Sequence, residues 1–373
     1  MAAILERKRF RDFDWVLALL AVGIVFFGTI QIRHALPNEG YWIKQLVGLA
    51  IAIVAMLAVA FTDYRRLINL APAFYIFGLL LLVIVLVPGI GIRVNGQQAW
   101  IKVPGIGQFQ PSEFVKVTTA MMLARYFGKP RVQTLAFKEM VIGAVILALP
   151  IGLILLQPDV GSVITYLPIL LVVLFLSAMK MRLVIGGLII SILMLPFAYW
   201  VGVKSGFVKA YQQERINVIL APENADRRGI GYHTWQSILT VGEGGILGSN
   251  TDSGYTQSSL RFLPEPHTDF IFSVTAGNAG FVGCTLVLLA YAVLLSRLIS
   301  GAKRAPDRMG MLVIMAIVGG LTFQIFINIG MALGILPVIG VPLPLMSAGL
   351  ASLTATFIAI GFAISVQLRR FVN

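Results

Sequence analysis

The sequence places a carboxylate directly before a long apolar run, in "FLPEPHTDFIF" at residues 262–272. Pro264 and Pro266 restrict the backbone at the end of the preceding loop, and Thr268 is a residue type that favours a helix N-cap. Asp269 is then expected in the first turn of the helix formed by the apolar run. An acid there either interacts with the positive end of the helix dipole or, where water and lipid meet, deprotonates a hydroxyl group as a general base.

A second candidate group lies in the segment 91–116, "GIRVNGQQAWIKVPGIGQFQPSEFVK". Pro111 suits the first position of a helix, so Glu113 falls in its first turn, where an acid interacts favourably with the dipole. Alternatively, nearby basic residues bind an anionic headgroup or a diphosphate, and Glu113 holds one of them in place. The basic residues are Arg93, Lys102 and Lys116, with Trp100 beside them. An aromatic belt at a membrane interface explains the tryptophan equally well.

A third acid, Asp159, lies between two apolar runs in the turn "QPDVGS" at residues 157–162. Pro158 and Gly161 favour a tight turn at this point. The carboxylate either caps the following helix or pairs with a base from another loop.

The composition shows what kind of chain must position these groups. Of 373 residues, 58% are hydrophobic and 12% charged, and the mean hydropathy is +0.89, which excludes a water-soluble globule. Windows of about 20 residues, the length that crosses a bilayer, predict ten transmembrane helices. They cover residues 14–32, 41–61, 72–90, 112–127, 138–156, 160–178, 183–201, 269–296, 309–334 and 348–367.

The predicted fold is therefore an all-α polytopic membrane protein, a single membrane domain over residues 1–373. One large extracytoplasmic loop, residues 202–268, joins the seventh and eighth helices. Most of the 29 basic residues fall on the side of the two termini, so both termini are predicted to be cytoplasmic. A positively charged N-terminus precedes the first apolar run without a small-residue cleavage site, and we interpret that run as a retained helix. The net charge of +13 follows from this topology and from attraction to anionic lipid, which argues against a nucleic-acid partner.

The long loop has its own predicted structure. "YQQERINVIL" at 211–220 and "GYHTWQSILTVGEGGILG" at 231–248 predict two helices, the second running into a glycine-rich stretch. Because no strand precedes these glycines, they do not form a dinucleotide-binding fingerprint. The single Cys284 excludes an intramolecular disulfide. The histidines are too far apart in the sequence for metal-ligand spacing: His34, His233 and His267.

Five segments in this order resemble the successive signatures of the SEDS proteins (shape, elongation, division and sporulation). They are "QAWIKVPGIGQFQPSEFVK", "QPDVGS", "GYHTWQSILTVGEGGILG", "FLPEPHTDFIFSV" and "QIFINIGMALGILPVIGVPLPLMS". The resemblance covers nearly the whole chain, and its last segment is closer to the elongation (RodA-like) members than to the division members.

The resemblance implies a peptidoglycan glycosyltransferase that polymerises lipid II, during cell elongation and rod-shape maintenance, at the outer face of the bacterial cytoplasmic (inner) membrane. Its implied partners are a class B penicillin-binding protein of the penicillin-binding protein 2 type and other membrane proteins of the elongation machinery. The resemblance assigns catalysis to Asp269 and implicates Trp100 and Glu113, and we expect Lys116 to face the diphosphate of the donor. Further candidates for substrate binding are Arg93, Lys102, Asp159, Arg215, Arg261 and His267.

The implied chemistry needs one base. Transfer from an α-linked diphosphate to a β-1,4 bond inverts the anomeric centre in one displacement, and undecaprenyl diphosphate leaves as an anion that requires no acid. Lysine, arginine or a divalent cation, Mg²⁺ or Mn²⁺, stabilises such a leaving group, and no organic cofactor is expected. The chain departs from the family pattern in two stretches, where acidic residues or a tyrosine are expected: Ala276-Gly277-Asn278-Ala279-Gly280 and Ala348-Gly349-Leu350-Ala351. The first departure removes carboxylates that could tune the site or help to bind a cation, and the second could alter packing in a substrate cavity or contact with the partner.

Two other functions fit a polytopic chain. A lipid-linked precursor flippase or other transporter requires charges in the middle of its helices, and these helices are almost free of them there. A non-catalytic scaffold that activates the penicillin-binding protein would not depend on Asp269.

Overall fold

A computed structural model describes residues 12–94, 96–103, 107–129, 137–177, 181–206, 213, 231–249 and 263–370. The described helices are α1 (Trp15–Ala35), α2 (Tyr41–Phe61), α3 (Tyr64–Asn69), α4 (Ala71–Leu86), α5 (Pro111–Phe127), α6 (Phe137–Leu155), α7 (Val160–Leu176), α8 (Met181–Lys204), α9 (Gly231–Glu243), α10 (Ile271–Lys303), α11 (Arg308–Ala332) and α12 (Leu350–Leu368). Three strands lie between α4 and α5: β1 (Gly91–Val94), β2 (Gln97–Val103) and β3 (Gly107–Phe109).

The ten predicted transmembrane helices are confirmed as helices. Each predicted range coincides with one of α1, α2, α4 to α8 and α10 to α12, with ends shifted by a few residues. Six are long and apolar enough to cross a membrane by length and composition, and α4 and α7 are shorter apolar helices. Large apolar side chains such as Leu19, Val54 and Leu193 are more than half exposed on the outside of the bundle. This surface suits lipid, and the chain is a multi-pass membrane protein.

The interior of the bundle is built around α11 and α12. Helix α12 packs along α2, while α11 packs against α7, α10 and α5. Polar contacts hold together the end of the bundle that carries the first described residues. Arg297 pairs with Asp14 at 2.7 Å, and Arg369 donates hydrogen bonds to the main chain at the end of α2. Buried charges at helix ends are therefore matched by carboxylates and carbonyls.

The opposite end of the bundle carries a small antiparallel sheet that the all-α prediction omits. Its strand order is β1-β2-β3, with a register shift beside Arg93. The Asn-Gly dipeptide at positions 95–96, between runs containing β-branched residues, is the sequence signal for this hairpin. The sheet lies directly before α5 and positions the residues of the segment 91–116.

Part of the loop 202–268 packs against the helices. Helix α9, predicted from the sequence, lies on α10 and α11. Its buried face is small and polar: Ser237 contacts Ser273 Oγ at 2.6 Å and donates to the carbonyl of Ala332 at 2.7 Å. Its exposed face includes Trp235 and Ile238. Apart from Gln213, the predicted helix at 211–220 lies outside the described residues.

The glycine-rich stretch after α9 fills a break in α10. Gly280 has φ 62° and ψ −161°, a conformation that is essentially confined to glycine. The amides of Phe281 and Val282 donate to the carbonyls of Gly245 and Ile246 at 2.9 and 3.1 Å. The stretch thus satisfies backbone groups that an unbroken helix would pair internally.

We expect Gly280→Ala to destabilise the protein by at least about 2 kcal/mol, because the backbone conformation is strained for alanine and its Cβ would lie 2.3 Å from the amide nitrogen of Gly248. The thermal unfolding midpoint of the purified protein in detergent measures this. Gly23→Ala in α1 is the matched control, because a Cβ at that position meets no atom within 4 Å. Equal unfolding midpoints for the two variants would contradict the conclusion that the break in α10 requires glycine at position 280.

Candidate active site

A cavity of about 810 Å³ opens at the end of the bundle that carries the sheet. Its wall is formed by the sheet, the first turns of α2, α5, α7 and α12, the turn before α10, the chain at 340–342, and Gln324 of α11. Six of the ten candidate catalytic and substrate-binding residues line it: Trp100, Lys102, Glu113, Lys116, His267 and Asp269. Segments separated by more than 150 residues in the chain therefore converge on one site.

Asp269 lies in a turn, two residues before α10 begins at Ile271. The predictions that Thr268 caps this helix and that Asp269 occupies its first turn are wrong. The N-cap is Phe270, whose side chain makes no capping bond, and the hydroxyl of Thr268 contacts the carbonyl of Glu265 at 3.4 Å instead. The helix starts late because other segments bind the carbonyls of the turn. The capping interpretation of the carboxylate is thereby removed, and the carboxylate faces the cavity.

Three successive carbonyls of this turn accept hydrogen bonds from distant parts of the chain. The amide of Ala348 donates to His267, the hydroxyl of Ser347 to Thr268, and the side-chain amide of Asn328 to Asp269, at 2.7, 2.5 and 2.9 Å. A turn in which three successive carbonyls are held in this way has little conformational freedom. The position of the catalytic candidate is therefore fixed by its main chain.

Glu113 and Lys116 form an ion pair of 2.7 Å in the first turn of α5. The two side chains are only 6% and 12% exposed, so the pair is nearly desolvated. The ammonium group also contacts Oε1 of Gln324 at 3.4 Å. The geometry agrees with the interpretation that Glu113 holds a basic residue in place. A lysine oriented in this way presents its charge to the cavity at little further entropic cost.

Side chains alternate between the two faces of the sheet along each strand, and this alternation determines which other residues of the segment 91–116 face the cavity. Trp100 and Lys102 on β2 line the cavity, as do the neighbours of Arg93 on β1, Ile92 and Val94. Arg93 itself points to the other face of the sheet, where it is exposed and donates to Gln98 Oε1 at 3.2 Å.

Asp159 caps α7 and lies behind the cavity wall. Oδ1 accepts from the amide of Ser162 at 2.9 Å, and Oδ2 accepts from the Ser162 hydroxyl and from Gln110 Nε2 at 2.6 and 2.9 Å. Burial raises the pKa of the Asp159 carboxyl, while the hydrogen bonds from Ser162 oppose this shift. Of the two alternatives for Asp159, the structure shows the helix cap. Ser162 and Gln110, which donate hydrogen bonds to Asp159, line the cavity.

His267 lies at the cavity wall against an aromatic ring that the sequence did not single out. Its imidazole stacks on Tyr41 with ring centroids 4.0 Å apart, and its Nε2 is 3.9 Å from Glu265 Oε2. Burial lowers the pKa of His267, and the carboxylates of Glu265 and Glu39 oppose this shift only in part.

Further residues that the sequence analysis did not name as candidates line the cavity, although one of them, Gln324, begins the last of the quoted family segments. Tyr41 and Gln45 reach the cavity from α2, and Gln324 reaches it from α11. They belong to apolar helices, in which no residue spacing distinguishes them as site residues. A side-chain amide within an apolar membrane-spanning helix is nevertheless itself an indication of a functional role. Arg215 and Arg261 lie outside the described residues.

The two departures from the SEDS pattern have different places in the structure. Ala348, Gly349, Leu350 and Ala351 all line the cavity, as expected for a change in its packing. Asn278 is directed to α1, where its amide donates to Gln31 Oε1 at 3.1 Å. Among the described residues, no group of three or more His, Cys, Asp or Glu side chains is placed to hold a metal ion. The described donor set therefore does not fit a divalent cation held by protein ligands alone.

Fold and site together define a class: a multi-pass membrane protein with a cavity at one end of its helix bundle that is lined by charged, polar and apolar side chains. Residues 11–370 match the model of the cell cycle protein family of FtsW, RodA and SpoVE, and the chain belongs to this family. It is 34% identical to the peptidoglycan glycosyltransferase MrdB of Escherichia coli K12, covering 98% of this chain and 97% of that protein. It is 32% identical to the stage V sporulation protein E of Bacillus subtilis 168, covering 94% of each.

Two solved structures share the fold over nearly its full length. A chain of a peptidoglycan synthase complex that coordinates polymerization and crosslinking superposes with a TM-score of 0.81 at 32% identity, covering 97% of this chain and 99% of that one. The rod shape determining protein RodA of Thermus thermophilus superposes with a TM-score of 0.71 at 30% identity, covering 97% and 98%.

The lowered pKa of His267 predicts a pH dependence of stability. Since the unfolded chain binds this proton more tightly than the folded protein, stability falls as the pH drops through the ordinary histidine pKa of 6.5. We expect the unfolding midpoint of His267→Gln to fall less than that of the wild type between pH 8 and pH 5.5. His34→Gln, on the exposed surface of α1, is the control and should keep the wild-type slope. Parallel curves for His267→Gln and wild type would contradict the prediction.

Proposed function

We propose that this protein is a peptidoglycan glycosyltransferase that polymerises lipid II into glycan strands during cell elongation. One observation carries the proposal: a carboxylate, Asp269, and a paired lysine, Lys116, line the same cavity. The first suits activation of an acceptor hydroxyl and the second suits a diphosphate leaving group. The curated names of the relatives, at 30% identity or more over nearly the whole chain, support the same activity.

The reaction follows from the two groups. Asp269 accepts the proton of the acceptor hydroxyl as its oxygen forms a bond to the anomeric carbon of the donor. The bond from this carbon to the diphosphate oxygen breaks on the opposite face, so the configuration inverts. Lys116 stabilises the negative charge that develops on the departing undecaprenyl diphosphate, in a setting where little water screens the interaction. No acid is required for the leaving group, and no step is assigned to a metal ion.

The wall of the cavity suits a sugar substrate. Trp100 offers an aromatic face, and Lys102 adds a second cation on the same strand. Gln110 offers an amide, held in place by Asp159. Amides and aromatic faces are the groups that bind hydroxyl-rich, weakly charged rings in proteins.

The proposed orientation places the cavity on the outer side of the cytoplasmic membrane. Arg65, Arg297 and Arg369 lie at the other end of the bundle, joined there by ion pairs and carbonyl contacts. Excess positive charge marks the cytoplasmic side of a membrane protein. Both termini would then be cytoplasmic, and the cavity would meet lipid II after it has crossed the membrane.

The proposed partner is a class B penicillin-binding protein, which crosslinks the strands that this protein makes. The solved complex with the same fold is described as coordinating polymerization with crosslinking, and this supports a joint assembly.

We expect Asp269→Asn to reduce glycan synthesis at least a thousandfold, because the amide has the shape of the carboxylate without its basicity. The assay follows chain formation from labelled lipid II by the full-length protein bound to its class B partner. The unfolding midpoint and partner binding should match those of the wild type. Polymer formation by both proteins would assign the base to another residue. Absence of polymer from both, with the partner shown to be bound, would favour transport or scaffolding.

The role of Lys116 requires a paired design. Lys116→Met leaves the buried carboxylate of Glu113 without its ion-pair partner, which costs about 3–5 kcal/mol, so loss of activity alone would be ambiguous. The double variant Glu113→Gln/Lys116→Met removes both charges and should recover most of the stability. We expect the KM of the double variant for lipid II to be about tenfold higher than that of the wild type, because the diphosphate loses its cation. A wild-type KM in the double variant would overturn the role of Lys116.

A further inference from the structure

Two buried amide side chains on α11, Gln324 and Asn328, lie one helical turn apart; Asn328 binds the turn that carries Asp269, and Gln324 binds the carbonyl of Pro342. We propose that they are positioning residues that hold Asp269 and Lys116 in a fixed relation across the cavity. This inference rests on the proposed glycosyl transfer. The two amides support the reaction through Asp269 and Lys116, and no contact with the substrate is assigned to them. Polar amides within a mostly apolar helix carry a desolvation cost, so their retention calls for a physical role.

Asn328 joins two segments that are otherwise separate. Its Nδ2 donates to the carbonyl of Asp269 at 2.9 Å and to the carbonyl of Val341 at 2.8 Å, so both hydrogens of one amide are used. The side chain is fully buried. The chain beside Val341 also lies near the catalytic side chain, since a Cβ added at Gly340 would be 3.6 Å from Asp269 Oδ2. Asn328 therefore sets the distance between the catalytic carboxylate and the opposite wall of the cavity.

Gln324 connects the same wall to the cation. Its Nε2 donates to the carbonyl of Pro342 at 3.0 Å, and its Oε1 lies 3.4 Å from Lys116 Nζ. The residues that the two amides bind, Val341 and Pro342, are adjacent in the chain. A continuous path of short contacts thus runs from Asp269 through Asn328, the 341–342 backbone and Gln324 to Lys116.

The path matters because inverting transfer needs the base and the leaving group on opposite faces of one carbon. A displacement of about 1 Å can lower the rate roughly a hundredfold while ground-state binding persists. Loss of the Asn328 amide would leave two buried carbonyls without this donor and release the turn. Loss of Gln324 would have a smaller effect on Lys116, which Glu113 still binds.

The test compares steady-state glycan synthesis by full-length wild type, Asn328→Leu and Gln324→Leu, each bound to the class B partner, with labelled lipid II as substrate. We expect Asn328→Leu to lower kcat at least tenfold with KM within twofold of wild type, and Gln324→Leu to raise KM more than it lowers kcat. Gln31→Leu is the matched control, because Gln31 is a buried amide that joins α1 to α10 away from the cavity. It should change the unfolding midpoint without this split between kcat and KM.

A second variant keeps the proposal testable if Asn328→Leu does not fold. Asn328→Asp preserves the shape, and burial against two carbonyls favours the protonated carboxyl, which donates one of the two hydrogen bonds. Its kcat relative to wild type should therefore fall as the pH rises from 6 to 8.5. A constant ratio, or kinetics of Asn328→Leu matching those of Gln31→Leu, would overturn the positioning role. Synthesis by Asp269→Asn at the wild-type rate would instead overturn the assignment of the base, so the two failures are distinguishable.

Discussion

The site depends first on the backbone hydrogen bonds that hold residues 267–269 in a turn instead of a helix. A carbonyl at a membrane boundary must be satisfied, and here three in succession are satisfied by groups from α11 and from residues 347–348. Because the turn is fixed this way, α10 begins only at Ile271. The carboxylate of Asp269 then faces the cavity instead of capping the helix below it.

The Glu113–Lys116 pair supplies the second constraint, which is electrostatic. The carboxylate of Glu113 lies 2.7 Å from the ammonium group of Lys116, so two charges that are nearly removed from water are paired with each other. The sequence spacing of three residues puts both groups on one face of α5, and Pro111 fixes where that helix begins. A negatively charged diphosphate gains from the same charge when it enters the cavity.

The sheet and the helices position the remaining parts of the cavity wall in different ways. In the sheet, the alternation of side chains turns Trp100 and Lys102 toward the cavity and Arg93 away from it. In α7, the buried cap Asp159 holds Gln110 at the wall. Across the bundle, the break at Gly280 lets the glycine-rich stretch after α9 pair with α10. Rigid supports of this kind suit a reaction that needs fixed geometry more than new charges.

The sequence by itself determined the ten helices and the acids at their ends. Runs of about 20 apolar residues have one stable form in lipid, and Pro111 and Glu113 are strong local signals. Only the tertiary structure decided that Asp269 caps no helix and that Gln324 and Asn328 bind the walls of the site. Those outcomes rest on hydrogen bonds between groups that are far apart in the chain, such as Ser347 and Thr268, which are separated by 79 residues. The local sequence pattern does not indicate such contacts, because the groups meet only when complete helices pack together.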